Sequence, residues 1–304
     1  MVKEEGKYEP MVSVIVATYR RYEELRNALC SLAEQTYKQV EIILVDDNAD
    51  AEWNQRIHAM AMQIGHDTGV DIKHIINERN MGSAATRNKG IASAQGAYIT
   101  FLDDDDVYLP EKIEMQLKDM LASDAEYGIT DLYLYNGQGI LVDKRIRSYI
   151  KEIDTRSLMC NHLMHHMTGT DTLMFKAEYL RKIGGFPGID VGDEFYLMKE
   201  AILGCGRCFY SNHCYVKAYI HTGENGGLSS GQKKIDGENA LYAEKKKYFS
   251  FLSKTEVGYV KMRHYAVLAF AEYRRKRMLH FMGYAMYSFA CAPMGMIKMI
   301  LSSR

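Results

Sequence analysis

The sequence predicts an α/β fold: a Rossmann-like, mostly parallel sheet with flanking helices, followed by a C-terminal helical extension. Three observations carry this. Short β-branched runs alternate with segments of helical periodicity through the N-terminal third, the pattern of a doubly wound sheet. Those runs end in polar or acidic residues (Tyr19, Asp46-Asp47, Asp103 to Asp106), where a parallel sheet places its ligands. From Val257 onward the chain has helical character alone.

Taken in order, Val12-Ser-Val-Ile-Val-Ala-Thr18 reads as a first strand, and Leu25, Ala28, Leu29 and Leu32 then recur at helical spacing. Val40 to Val45 is a second strand, closed by Asp46-Asp47-Asn48, with helical character from Trp53 to Ile64. Val70 to Ile76 is a third strand. Asn80-Met-Gly82 is a helix entry, Ala84 to Ala94 the helix and Gly96 its stop. Ala97 to Leu102 is a fourth strand ending in four aspartates. Pro110 opens a helix at its first turn. Extended runs follow at Ile129 to Tyr135, Thr170 to Phe175 and Cys208 to Ile220, with a turn at Gly184 to Gly188 and a helix from Glu194 to Leu203. Residues 235–252 and 258–291 read as helices. With no tandem repeat or low-complexity linker, the α/β core is not divided into independently folding domains.

The chain has 304 residues, 47% hydrophobic, with 38 Lys+Arg against 39 Asp+Glu. That length supports a sizeable core and excludes collagen, disordered and disulfide-miniprotein classes. A net charge of −1 gives no electrostatic case for nucleic-acid binding. The balance is uneven: residues 257–304 hold eight Lys/Arg and one acid, so they carry +7 and leave −8 for the rest. Met1 to Pro10 is polar with no apolar run to act as a secretory signal, and the six cysteines are scattered, so a cytoplasmic, reduced chain is expected. Cys205-Gly-Arg-Cys208 with His213 and Cys214 allows a zinc reading, but no second pair completes four ligands, and buried thiols beside a turn are preferred.

Four adjacent aspartates repel one another and gain nothing at a strand end. An exposed acidic turn would explain them alone, but they share a rim with Asp46 and Asp47. Carboxylate oxygens are preferred ligands of Mg²⁺ or Mn²⁺, which usually fill their remaining positions with water and phosphate. A metal–diphosphate site is therefore expected.

Several segments in a fixed order carry a resemblance: Val12 to Tyr19; Val40 to Asn48; Asn80-x-Gly82 running into Thr86-Arg87-Asn88-Lys-Gly90; Gly96 to Asp106; Ile183-Gly-Gly-Phe186 with Gly192-Asp193-Glu194; and His221. They resemble the nucleotide-sugar domain of family 2 glycosyltransferases of the GT-A fold, over about residues 11–225. The resemblance implies a nucleotide-sugar-binding half at 1–110, an acceptor-binding half at 111–234 and a helical extension at 235–304. It implies that Ala17 (backbone) and Tyr19 (ring face) contact the base, that Asp47 accepts from the base edge, and that Arg87 approaches the diphosphate. Asp103 and Asp104 would reach toward ribose and metal, with Asp105 the direct metal ligand, in a register that four consecutive aspartates leave open by one residue.

Asp193 stands where the family has its general base, taking a proton from the acceptor hydroxyl as it attacks the anomeric carbon with inversion. Glu194 is the runner-up, and the structural alternative for Asp193 is a helix cap. His221 is implied as a further metal ligand or diphosphate contact, ahead of the Gly/Ser-rich stretch 223–231. His162, His165 and His166, followed by Thr168-Gly-Thr170-Asp171, read either as acceptor-pocket residues or as a polar helix face.

Arg274-Arg-Lys-Arg277 directly precedes twenty residues without Asp, Glu, Lys or Arg, Met278 to Ile297, which would just span a bilayer. His280, Ser288 and Pro293 dilute that run, so peripheral contact on the inner face of the membrane is expected, the alternative being a hairpin packed on the catalytic domain or on a second copy in a homo-oligomer. The expected function is transfer of a sugar from a nucleotide donor, UDP-linked, to a glycan or lipid-linked acceptor, in bacterial surface polysaccharide or lipid-linked glycan synthesis. The alternatives are a nucleotidyltransferase, which would want a glycine-rich loop where Thr18-Tyr-Arg-Arg21 stands, and a non-catalytic nucleotide-sugar-binding protein.

Overall fold

A computed structural model describes residues 9–167, 169–189, 192–220 and 231–302. Of these, residues 9–154 with 169–220 form one compact unit, and 155–167 with 231–302 form a second. In chain order the elements are β1 (Val12–Thr18), α1 (Glu23–Ala33), β2 (Val40–Asp46), α2 (Ala51–Thr68), β3 (Asp71–Ile76), α3 (Ser83–Ser93), β4 (Tyr98–Asp103), β5 (Val107–Tyr108), α4 (Lys112–Ser123), β6 (Tyr127–Asn136) and β7 (Leu141–Arg145). There follow α5 (Thr155–His165), β8 (Leu173–Lys176), α6 (Ala177–Lys182), α7 (Asp193–Leu203), β9 (Cys208–Ile220), α8 (Gly231–Lys246), α9 (Lys254–Arg274), α10 (Met278–Cys291) and α11 (Pro293–Ser302).

All nine strands belong to the first unit and form one sheet, ordered β3-β2-β1-β4-β8-β6-β9-β5, with β7 paired to β6. β1 is parallel to both β2 and β4, so strand order reverses across it. A crevice therefore opens at the carboxyl ends of β1 and β4, at Thr18 and Asp103. β1 is a continuous β-branched run because both its faces are covered: Ser13, Val14, Ile15 and Val16 are all buried. Val12, Val14 and Val16 pack with Leu25 and Leu29 of α1. On its other face α3 approaches so closely that a Cβ on Gly90 would lie 2.5 Å from Ile15 Cγ2. That contact seats the helix carrying Arg87 beside β1 and β4.

Beyond β4 the sheet is mixed. β8 runs antiparallel to both β4 and β6, β9 parallel to β6. The strand expected over Thr170 to Phe175 starts only at Leu173, after a 3-10 turn at Thr170–Thr172. Lys112 is fully buried beneath β4, donating to Thr100 Oγ1 at 2.5 Å and Tyr108 Oη at 2.9 Å, and burial holds its pKa well below the ordinary lysine value. Cys208 is buried, Cys214 half-buried and Cys205 exposed at φ 57°, so of the thiols expected to be buried beside the turn only Cys208 is.

In the second unit, Ser253 and Glu256 form a capping box at the start of α9. α10 packs against α9 through Ser288 Oγ, which donates to Met262 O at 2.8 Å, and at Gly258, where a Cβ would lie 2.8 Å from Cys291 O. His162 on α5 is buried, its Nδ1 accepting from Met167 N at 3.2 Å, so α5 does not present it as part of a polar face. The helix expected over 258–291 breaks after Arg274, where Lys276 takes φ 59°. The uncharged run is thereby divided between α10 and α11, and no helix among the described residues is long and apolar enough to cross a membrane.

Two outcomes follow. Gly90→Ala forces α3 off β1 and lowers unfolding free energy by about 1–3 kcal/mol, measured by chemical denaturation. Burial depresses the folded pKa of Lys112, so the unfolded chain binds the extra proton and stability rises with pH toward lysine's ordinary value. Lys112→Met removes that contribution, and thermal melts across pH 7–10 show a flatter profile than wild type.

Candidate active site

The crevice is built from four segments of the first unit. Asp106 N donates to Asp103 O at 3.1 Å, closing the aspartate run into a tight turn. The turn sorts the four side chains. Asp104 Oδ2 accepts from Thr18 Oγ1 at 2.8 Å and Tyr19 N at 3.2 Å, while its Oδ1 takes Arg21 Nη1 at 2.6 Å. Asp105 lies 3.0 Å from Arg21 Nη2. Asp103 and Asp106 face the other way, toward Asp171: Asp103 N donates to Asp171 Oδ1 at 2.6 Å and Tyr219 N to Asp106 Oδ1 at 2.9 Å.

Carboxylate oxygens of Asp103, Asp106 and Asp171 lie within 4.8 Å of one another, the one group of this kind among the described residues. Burial, then the charge of Asp171, pushes Asp106 up; burial, then the charge of Asp103, pushes Asp171 up. Three converging oxygen donors with mutual repulsion fit a hard divalent cation. Asp105, the ligand expected from sequence, is not in this group but pairs with Arg21, and His221 lies outside the described residues.

Arg87 joins this cluster to the expected base. Its Nη2 donates to Asp103 Oδ1 at 2.5 Å and its Nη1 to Asp193 Oδ2 at 2.9 Å. Desolvation lowers the guanidinium pKa, but the charges of Asp103 and Asp193 more than offset this and hold it above its usual value. The guanidinium sits 5.3 Å over the Phe186 ring. Phe186 is itself fixed by Asn88, whose Nδ2 donates to Phe186 O at 2.6 Å and whose Oδ1 accepts from Phe186 N at 2.9 Å. Gly185 takes φ +67° and a Cβ there would lie 2.6 Å from Asn88 Oδ1, which is why glycine precedes the phenylalanine.

Asp193 opens α7, and the cap position belongs to Gly192 at φ 79°. Its carboxylate also accepts from Ser83 Oγ at 3.2 Å. Burial raises the Asp193 pKa against the lowering effect of Arg87; burial, then the charge of Asp193, pushes Glu194 up to about 7.

On the nucleotide side of the crevice, Ala17 is half-buried and in register with Asp103, and the Tyr19 ring is 48% exposed. Asp47 is buried and accepts from Asn77 Nδ2 (2.8 Å), Met81 N (2.8 Å) and Gly82 N (3.0 Å), tying the loop before α3 to β2. A carboxylate has about four acceptor positions, so about one is left for a ligand. Sequence reasoning thus placed Ala17, Tyr19, Asp47, Arg87, Asp103, Asp104 and Asp193 along one crevice. It left Asp106 open as a one-residue shift of the metal ligand, named Asp171 only as following the histidine cluster, and gave no role to Arg21 or Ser83. A 3-10 turn ahead of an antiparallel strand carries no signal that its acid will reach the end of β4.

The glycosyl transferase family 2 model matches residues 13–184, more than half of the chain. An uncharacterized glycosyltransferase of Rickettsia typhi is 25% identical over 84% of this chain and 77% of its own length, while a longer relative is spanned over only 36%. Among solved structures, S. aureus TarS in complex with UDP-GlcNAc superposes with a TM-score of 0.61 at 18% identity, over 93% of this chain and 92% of that one. The mannosyltransferase PcManGT of Pyrobaculum calidifontis, in complex with GDP-Man and Mn²⁺, gives 0.60 at 15%, over 93% and 87%. Those two likenesses concern the GT-A fold. With the family match spanning β1 to the turn before Phe186, this chain belongs to glycosyl transferase family 2.

Proposed function

We propose that the chain is an inverting, metal-dependent transferase that moves a sugar from a nucleotide donor, UDP-linked, to an acceptor hydroxyl. The observation that carries this is the Arg87 bridge, which holds a buried carboxylate, Asp193, next to a three-carboxylate cluster at the end of β4. TarS, whose fold this chain shares, is recorded with UDP-GlcNAc, and PcManGT with GDP-Man and Mn²⁺; both support a nucleotide-sugar donor.

Asp103, Asp106 and Asp171 would hold Mn²⁺ or Mg²⁺, whose positive charge would favour the departing diphosphate. Tyr19 offers its exposed ring to the base, Ala17 its backbone and Asp47 its remaining acceptor position. Asp104, held by Thr18 and Arg21, keeps the β1 loop in place beside the ribose. Asp193 accepts the acceptor's proton as the hydroxyl oxygen bonds to the anomeric carbon from the face opposite the leaving group. One such displacement inverts the anomeric centre. Arg87 keeps the base ionised and oriented toward the donor. The acceptor is a glycan or lipid-linked saccharide in surface polysaccharide assembly, on the cytoplasmic face of the cell membrane.

Asp193→Asn lowers kcat by about 100- to 10,000-fold with donor KM little changed, read as UDP release from UDP-sugars with acceptor present. The base works ionised, so wild-type rate rises with pH, and its acid limb stands above the ordinary aspartate range because burial raises Asp193. Glu194→Gln keeps that limb; if Glu194→Gln were the crippled variant, Glu194 would be the base. Asp171→Asn weakens Mn²⁺ binding at least about tenfold by electron paramagnetic titration, whereas Asp105→Asn leaves it within about twofold. The reverse order would return the ligand role to Asp105.

A further inference from the structure

We propose that α10 and α11 form a docking surface that lies flat on an anionic lipid bilayer. α10 is uncharged, and its apolar side chains divide into two faces. One packs inward: Ser288 is buried against α9, Tyr284 stacks on Tyr265 at 6.3 Å and Phe281 meets Tyr273 at 5.5 Å. The other carries Leu279, Met282, Met286 and Phe289, spaced three or four residues apart and therefore on one side of the helix. These are 84%, 56%, 72% and 51% exposed, and a Cβ added at Gly283 on the same side would meet nothing within 4 Å. Met294, 68% exposed, and Ile297 extend the apolar surface onto α11.

Water is a poor neighbour for so many large apolar side chains on adjoining helices, and such a surface marks an interaction site. Charge selects the occupant. Arg274, Arg275, Lys276 and Arg277 stand immediately before α10, and no Asp or Glu occurs from Tyr273 to the end of the sequence. The buried Glu272 engages Arg275 at 3.0 Å and Arg277 at 4.0 Å, and Arg274, Lys276 and Arg277 are exposed. Basic side chains edging an exposed apolar face match a lipid headgroup layer, with the apolar residues at the acyl boundary and the cations among the phosphates. The geometry excludes a crossing: α10 has 14 residues and α11 has 10, separated at Ala292. Its use, bringing the transferase to a lipid-linked acceptor, rests on the function proposed above; the binding itself does not.

The test is co-sedimentation of the full chain with vesicles of phosphatidylcholine alone and of equimolar phosphatidylcholine and phosphatidylglycerol. The expected result is binding to the anionic vesicles that weakens at high salt. Arg274→Ser, Lys276→Ser and Arg277→Ser each lower the partition coefficient about fivefold, and Leu279→Asp with Met286→Asp abolishes it. Ile140→Asp with Val142→Asp, which removes exposed apolar residues of the first unit, leaves it unchanged. An unchanged thermal melt shows that each variant is folded, and absence of transfer activity in the wild type with vesicle binding intact would count against the function alone. Equal binding by wild type and Leu279→Asp/Met286→Asp overturns the proposal. So does a wild-type dimer in solution that this double variant dissociates while neither form binds vesicles, since the surface would then belong to a second copy of the chain.

Discussion

Asp103, Asp106, Asp171, Asp193 and Glu194 crowd together where β4 ends, and ionised carboxylates removed from water cost roughly several kcal/mol each unless a counter-charge is near. The architecture around them answers that crowding. Arg87 lies between Asp103 and Asp193, close enough to hydrogen-bond both, and Arg21 takes the charge of Asp104 and Asp105 on the opposite side of the aspartate turn. Arg87 hydrogen-bonds the remaining trio at Asp103, and a divalent ion would relieve the repulsion that raises Asp106 and Asp171.

Placing Arg87 requires several features that look unrelated along the chain. Gly90 lets α3 settle against Ile15, so the helix reaches the rim. Asn88 clasps the backbone of Phe186 from a helical turn next to Arg87, and Gly185 makes room for that clasp. Phe186 then supports the guanidinium face. The Arg87-Asn88-x-Gly90 segment and the Gly-Gly-Phe segment almost a hundred residues later are thus two halves of one bracket. Its purpose is to hold a single cation in a fixed orientation.

The parallel half was legible in advance because its logic is local. A buried strand writes itself as a β-branched run, its carboxyl end as a polar cluster, and a short crossover places the next strand alongside; Thr18, Asp46 and Asp103 all fell where that rule puts them. Asp171 did not, because β8 enters antiparallel and brings its amino end, not its carboxyl end, to the rim. Asp105 was misaligned with the cluster for a related reason. Which of four identical residues turn inward depends on the hydrogen bond from Asp106 to Asp103 and on Arg21 lying opposite.

The sequence by itself determined the α/β class, the family resemblance, the uncharged run behind a basic cluster, and the existence of an acidic rim. These are matters of periodicity, composition and order, all properties of neighbours along the chain. Only the tertiary structure decided which carboxylates converge, that Arg87 links the cluster to Asp193, and that the uncharged run folds as two short helices with one exposed apolar face. Those depend on side chains brought together from distant segments, where strand direction and backbone turns, not spacing, set the distances.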